Sequence, residues 1–343
     1  MKDEEVRRIQ LTGRTTYIVS LPKKWVLEMG LKAGSQVLVS RKGGSLIITP
    51  KDLAKVKAEP QEAVLKISGS DNPDKIVRAV IALYLNGYSS IIVRSSDQIT
   101  QQQRNAISEL VRRRIVGTEV ISDSPREMVL KVLVGHLELS LASALRRMYL
   151  VTSSMFEGAI KALIDLDKEL AKSVVELDDE VDRFGFYIVR QLKAAVQNSK
   201  VLEDIGLENP RECLGYRVVV KFIERIADHA TRIAKNVLLL NEKLDDFVLK
   251  RASSMSILAK SLLEKSMKSL FERNYDLAEE VVSEARKMAL IEEETMKAIT
   301  ERGGETFSST IKMILGDIRR IGEYSGDIAE VVLNLNVDKL LVT

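Results

Sequence analysis

The stretch "IERIADHATRIAKNV" (223–237) sets two carboxylates, Glu224 and Asp228, and a histidine, His229, into a run whose apolar positions follow helical spacing. Ninety-five residues later "IRRIGEYSGDIAEVV" (318–332) repeats it, pairing Ile223 with Ile318, Arg225 with Arg320, Ile226 with Ile321, Ile233 with Ile328, Ala234 with Ala329 and Val237 with Val332. The apolar stripe is kept while the polar insert changes: Glu224 becomes Arg319 and Asp228 becomes Glu323. Upstream, "MYLVTSSMFEGAIKALIDLDKELA" (148–171) matches 255–278 at an offset of 107. The first copy therefore holds twelve extra residues, for which "NSKVLEDIGLENPRE" (198–212) is the natural place against the short "RGGE" (302–305). Each copy reads as three long helices, about 137–165, 167–198 and 211–243, then 245–272, 275–301 and 306–335. Short connections favour antiparallel neighbours, so 137–243 and 244–336 are expected to be tandem three-helix bundles.

Residues four apart share a helix face, and like charges there repel by a few tenths of a kcal/mol. Glu224 and Asp228 therefore call for compensation. The preceding helix carries "ELDDEVD" (176–182), in which Asp178 and Asp182 are also four apart. If the two faces meet, four carboxylates converge, a ligand set for Mg, Mn, Ca or Fe rather than zinc. The other reading is ordinary ion pairing of Glu224 and Asp228 with Lys221, Arg225 or Arg232. In the second copy Arg319 repels a cation and Ala285 and Ala289 stand opposite Asp178 and Asp182, so only the first bundle is expected to hold a metal. His229 reads as a buried or supporting histidine rather than a ligand.

The composition, 45% apolar and 29% charged with few aromatics and six prolines, favours long helices. No apolar run reaches the ~20 residues of a membrane span, and Met1-Lys2-Asp3-Glu4-Glu5 is not a secretory leader, so a soluble cytoplasmic protein is expected. A single cysteine, Cys213, excludes an internal disulfide, and two histidines, His136 and His229, exclude a histidine-rich metal site. A di-metal oxidase built on a helical bundle needs Glu-x-x-His pairs; neither histidine has a glutamate three positions before it, and enzyme activity is not expected.

Charge is uneven. Residues 1–57 hold twelve Lys or Arg against five Asp or Glu, a net +7, which leaves −4 for the remainder. This basic segment reads β, β, short α, β, β: two β-branched runs around Gly13, a helix opened by Pro22 and stopped by Gly30, then a hairpin through Lys42-Gly43-Gly44. So small a fragment buries too little surface to be stable alone, and its strands leave edges that need partners. Residues 51–60 form a charged connector. Beyond it, "AVLKIS", "SSIIVR", "TEVIS" and "REMVLKVLV" alternate with helical stretches at about 73–86 and 98–115, a small βαβαββ domain over 60–135 whose role the residues leave open. Gln101-Gln102-Gln103 and Arg112-Arg113-Arg114 read there as an exposed helix side.

Two resemblances follow from these motifs. "TGRTTYIVSLPKKWVLEMGLKAGSQVLV" resembles the swapped-hairpin AbrB/SpoVT DNA-binding domain, which implies a homodimer interleaved through residues 1–51 and DNA contact by Arg7, Arg8, Arg14, Lys23 and Lys24, with Arg41 and Lys42 at the second hairpin. "ERIADHATRIAKNV" resembles the acid-x-x-x-Asp motif of the PhoU family of phosphate-uptake regulators, over roughly 140–335. That resemblance implies metal at Glu224 and Asp228, with Asp178 and Asp182 from the second helix, no catalysis, and contact with the ATPase subunit of a phosphate ABC transporter. Together they imply a multidomain, mainly α protein that regulates transcription of phosphate uptake. The alternative is a regulator that acts by protein contacts alone and uses its N-terminal piece only to dimerise.

Overall fold

A computed structural model describes residues 4–42, 44–51, 61–133, 139–303 and 309–340. The readings made at the connector 52–60, at Gly43, at the side chain of Lys42, at His136 and at the turn 304–305 lie outside the described residues. The chain divides into two compact units, Met1–Pro60 and Gln61–Thr343.

The first unit is two antiparallel hairpins and one short helix. β1 (Ile9–Thr12) pairs with β2 (Thr16–Val19) across a turn in which Gly13 takes φ +69°, a backbone angle that costs a side-chain-bearing residue. α1 (Lys23–Glu28) follows Pro22 and ends before Gly30, also at positive φ. β3 (Val37–Lys42) pairs with β4 (Ser45–Pro50). The two hairpins do not hydrogen-bond to each other among the described residues. Their apolar side chains face solvent: Ile9, Leu11, Tyr17, Leu38, Val39 and Leu46 are all more than half exposed.

The second unit opens with an α/β module: β5 (Glu62–Ile67), α2 (Pro73–Leu85), β6 (Ser90–Ser95), α3 (Gln101–Arg113), β7 (Thr118–Ser124) and β8 (Glu127–Val132). The sheet order is β5-β6-β8-β7, with β5 parallel to β6 and the other pairs antiparallel. Ile67, Ile91, Val93, Met128 and Leu130 from the strands meet Ile76, Val80, Tyr84, Ile107 and Leu110 from the helices in one small core. Gln103 belongs to the structure rather than to an exposed side: it is buried, closes a capping box with Thr100, and donates to the Ser68 and Asp71 carbonyls.

The helical part follows as α4 (Leu141–Asp165), α5 (Lys168–Glu176), α6 (Asp178–Gln197), a short α7 (Ser199–Asp204) in the inserted segment, and α8 (Glu212–Leu239). The second copy is α9 (Asp246–Glu272), α10 (Tyr275–Ala285), α11 (Met288–Gly303) and α12 (Ser309–Leu335). The middle helix of each copy is thus broken, not continuous as the spacing predicts. At Leu177 the break coincides with Asp178-Asp179-Glu180, acids that favour the first turn of a new helix over the middle of an old one. The repeat extends to backbone detail. Leu166 and Arg273, 107 positions apart, are the two non-glycine residues at positive φ among those described. Each is followed by an N-cap, Asp167 or Asn274, whose side chain accepts from the next helix's first amides.

Every apolar pair of the quoted repeat is buried: Ile223 and Ile318, Ile226 and Ile321, Ile233 and Ile328, Ala234 and Ala329, Val237 and Val332. α8 and α12 pack against one another at the centre, and the two bundles share one continuous core rather than two separate ones. The matched arginines depart from the repeat: Arg225 and Arg320 both lie over the one Tyr324 ring, at 5.4 and 5.5 Å, whose counterpart in the first copy is His229.

Candidate functional site

The basic residues of the first unit lie at its loops and ends. Arg7 and Arg8 precede β1, Arg14 sits in the turn after Gly13, Lys23 and Lys24 open α1, and Arg41 and Lys42 end β3. Two of these cations already have acidic neighbours: Arg7 pairs with Glu5, and Lys24 lies 3.9 Å from Glu28. Both pairs are exposed, and such pairs hold a charge only loosely.

In the second unit α6 carries Asp178 and Asp182, and α8 carries Glu224 and Asp228. The four carboxylates are drawn together. Burial raises the Asp178 carboxyl pKa, and the nearby Asp228 raises it further. Asp228 is pushed up by burial and then by Glu224 and Asp182. Asp182 is raised by burial against the opposing pull of Arg114, with Glu224 and Asp178 adding to the rise.

The cluster does not, as it stands, fit a metal. Two of its four carboxylates are occupied by the protein's own cations: Lys221 donates to Glu224 at 2.5 Å, and Arg114, from the end of α3, donates to Asp182. Thr231 donates to Asp178 at 3.3 Å. Among the described residues no three His, Cys, Asp or Glu side chains are grouped to hold an ion. The expected metal shell is thus met by a salt-bridged network, because two fixed cations now offset the repulsion that made a metal attractive. Arg114 is the residue that sequence reasoning missed. His229 turns away from this cluster; it is buried, and its Nδ1 lies 2.6 Å from Asp317 Oδ1 on α12.

The second copy closes the corresponding place. Ala285 and Gly326 stand where Asp178 and Thr231 stand in the first, and a Cβ built on Gly326 would lie 2.7 Å from the Ala285 Cβ. Arg319 pairs with Glu292 at 2.6 Å and with Glu323 at 2.9 Å. Between α8 and α12 lies a cavity of about 430 Å³ whose lining includes Arg232, Lys235, Arg319 and Arg320. Asp317, Glu292 and Glu323 neutralise most of that charge.

Comparison with known proteins agrees with this architecture. The PhoU domain profile matches residues 145–237 and 252–332, together just over half of the chain. This chain belongs to the PhoU family. A second profile, the bacterial antitoxin MazE (antidote-toxin recognition), matches residues 10–55, so the PhoU bundles here follow a MazE/AbrB-type unit. Among curated relatives, the PhoU homologue of Borreliella burgdorferi is 30% identical over 35% of this chain, and the match spans 55% of its own length, about half. The homologue of Clostridium acetobutylicum is 28% identical over 45% of this chain and 68% of its own. PhoU homologue 1 of Thermotoga maritima is 25% identical over 58% and 87%. Crystal structures of PhoU from Streptococcus pneumoniae and Pseudomonas aeruginosa share the fold with TM-scores of 0.50, at 20% and 21% identity, covering 59% and 58% of this chain and 96% of each of those. Among the described residues no helix is long and apolar enough to cross a membrane.

Proposed function

We propose that this chain is a phosphate-responsive regulator of transcription, not an enzyme, whose first unit pairs with that of a second copy to bind DNA and whose PhoU bundles report phosphate status. The observation that carries this reading is the first unit itself. It is the basic part of the molecule, matches a MazE/AbrB-type profile, and leaves its apolar hairpin faces uncovered within one chain. A second copy covers those faces and doubles the positive charge offered to a duplex. The curated relatives are named for the phosphate-specific transport system, which supports contact between the bundles and a phosphate ABC transporter, through its ATPase subunit, as the input.

Binding to DNA from upstream of its own gene and of phosphate-transport genes, measured over a salt series, tests the reading. Affinity should fall with salt at a slope of about −0.9 per phosphate neutralised, and an Arg14→Ala/Lys23→Ala variant should bind more weakly with a shallower slope. Absence of binding at every salt concentration would leave the second reading, a dimerising regulator that acts by protein contact. The acids Glu5 and Glu28 beside Arg7 and Lys24, which lower the net positive charge of that surface, favour it.

A further inference from the structure

The sheet of the α/β module is covered on one side only. α2 and α3 pack on one face of it, and α6 of the bundle packs on those helices. On the other face the strand registers line up a middle row of Val64, Ile92 and Val129. Lys66 and Glu127 stand on one side of that row, Glu62 and Lys131 on the other. A sheet face left to water is ordinarily polar along its whole length, but this middle row is β-branched and apolar. Val64 is 44% exposed, and all three side chains belong to neither hydrophobic core. Ile121, in the β7 bulge, is 53% exposed. In the outer rows Glu127 pairs with Arg94 at 2.7 Å, while Glu62, Lys66, Glu119 and Lys131 have no ion pair among the described residues.

We propose that this face stacks on the same face of a second copy, about a two-fold axis lying across the strands. That operation lays the middle row on its own counterpart and exchanges the outer rows. Lys66 then meets Glu62 of the second copy, Glu127 meets its Lys131, each contact occurs twice, and no like charges meet. An axis along the strands would instead set Glu62 over Glu119, acid on acid, and Val64 over Ser122. The charge pattern thus selects a second copy and one orientation of it. The face is small: four strands about 4.8 Å apart cover on the order of 300 Å², well below the ~800 Å² per partner of a stable interface. It therefore closes only between chains already joined, and so rests on the pairing of first units proposed above. Eleven residues, 51–61, separate β4 from β5, so a joined pair holds its modules at a high effective concentration. The module becomes a second clasp between the two chains.

The test uses the full chain with its one cysteine removed, Cys213→Ala, and a new thiol on the middle row, Val64→Cys. A bis-maleimide of about 10 Å reach, the spacing of stacked sheets, is the probe. Val64→Cys should give a covalent dimer at a rate independent of chain concentration once the chain sediments as a dimer. Asp74→Cys, exposed on the helix side of the module, should not. Added to Val64→Cys, Lys66→Glu opposes Glu62 of the second copy with like charge and should abolish the link; Glu62→Lys/Lys66→Glu should restore it. These two residues lie about 13 Å apart along one strand, so only contact between copies explains a rescue. No link at Val64→Cys in a dimeric chain, a link that rises with concentration as a collision does, a link indifferent to Lys66→Glu, or a double variant that stays unlinked overturns the proposal. A chain that sediments as a monomer overturns the pairing of first units and this inference with it, so the two failures are told apart. If Lys66→Glu loses its circular dichroism, Lys131→Glu, set against Glu127 of the second copy, takes its place and should abolish the link in the same way.

Discussion

Asp228, partly buried beside Glu224 and Asp182, has its carboxyl pKa raised above 3.8, first by burial and then by Glu224. A raised native value means the folded chain holds the proton more tightly than the unfolded chain does. Ionisation then costs stability: the cost is absent below the unfolded carboxylate range and complete once pH passes the raised native value. Asp228→Asn should therefore raise Tm at pH 7 in EDTA, by roughly a few degrees for a unit of this size, and the gain should shrink toward pH 4. Calorimetry across that range checks it, and an unchanged or lower Tm at pH 7 would mean that Lys221 and Arg232 already compensate the charge. The carboxylates themselves were legible in the sequence because helical spacing fixes which residues share a face. Arg114 was not, since its bond to Asp182 spans 68 residues between different modules and no periodicity links the two. The only trace was a basic run, 112–114, and an acidic run, 176–182, and the one local pairing in the basic run, Arg113 with Glu109, does not point to Asp182.

Between the copies, the elements differ in how closely helices approach. In the second, Gly322 and Gly326, one turn apart, let α12 lie against α10 and α11 so closely that an added Cβ would sit 2.7 Å from Met288 Cγ or from the Ala285 Cβ. In the first, Ala227 and Thr231 hold those positions and the groove stays polar, with Asp178 accepting from Thr231. Gly326→Ala should destabilise the protein by about 1–3 kcal/mol, the usual cost of overpacking, because Ala285 has no flexible end to move aside. Gly316→Ala is the control: its new methyl meets nothing nearer than Glu292 Oε1 at 3.5 Å, so helix propensity should make it neutral or stabilising by up to about 1 kcal/mol. Chemical denaturation separates the two, and equal effects would remove close approach as the explanation. Apart from the short α7, the helices' existence, order and repeat followed from the sequence pattern. Their breaks did not, because neither Leu177 nor Arg286-Lys287 is marked by a proline or glycine. Acids clustered at a first turn are a weaker signal than either.

At the scale of the molecule, the two units differ in self-sufficiency. Residues 61–343 contain both hydrophobic cores, whereas no large aliphatic side chain of the described residues 4–51 belongs to either. The single tryptophan, Trp25, lies in α1 of the first unit and reports on it alone. Its thermal transition should move to higher temperature as chain concentration rises, while far-ultraviolet circular dichroism, dominated by the bundles, should not; mass action requires this of any unit completed by a second copy. A tryptophan transition independent of concentration would place the missing cover elsewhere. The two hairpin sheets and the bundle helices were both readable from pattern, but only the structure shows how completely the first unit lacks an interior. If, as proposed, a second copy supplies that interior, abundance itself becomes a signal: in the dilute regime the competent form grows as the square of the number of chains, so a modest change in expression is amplified before any effector acts.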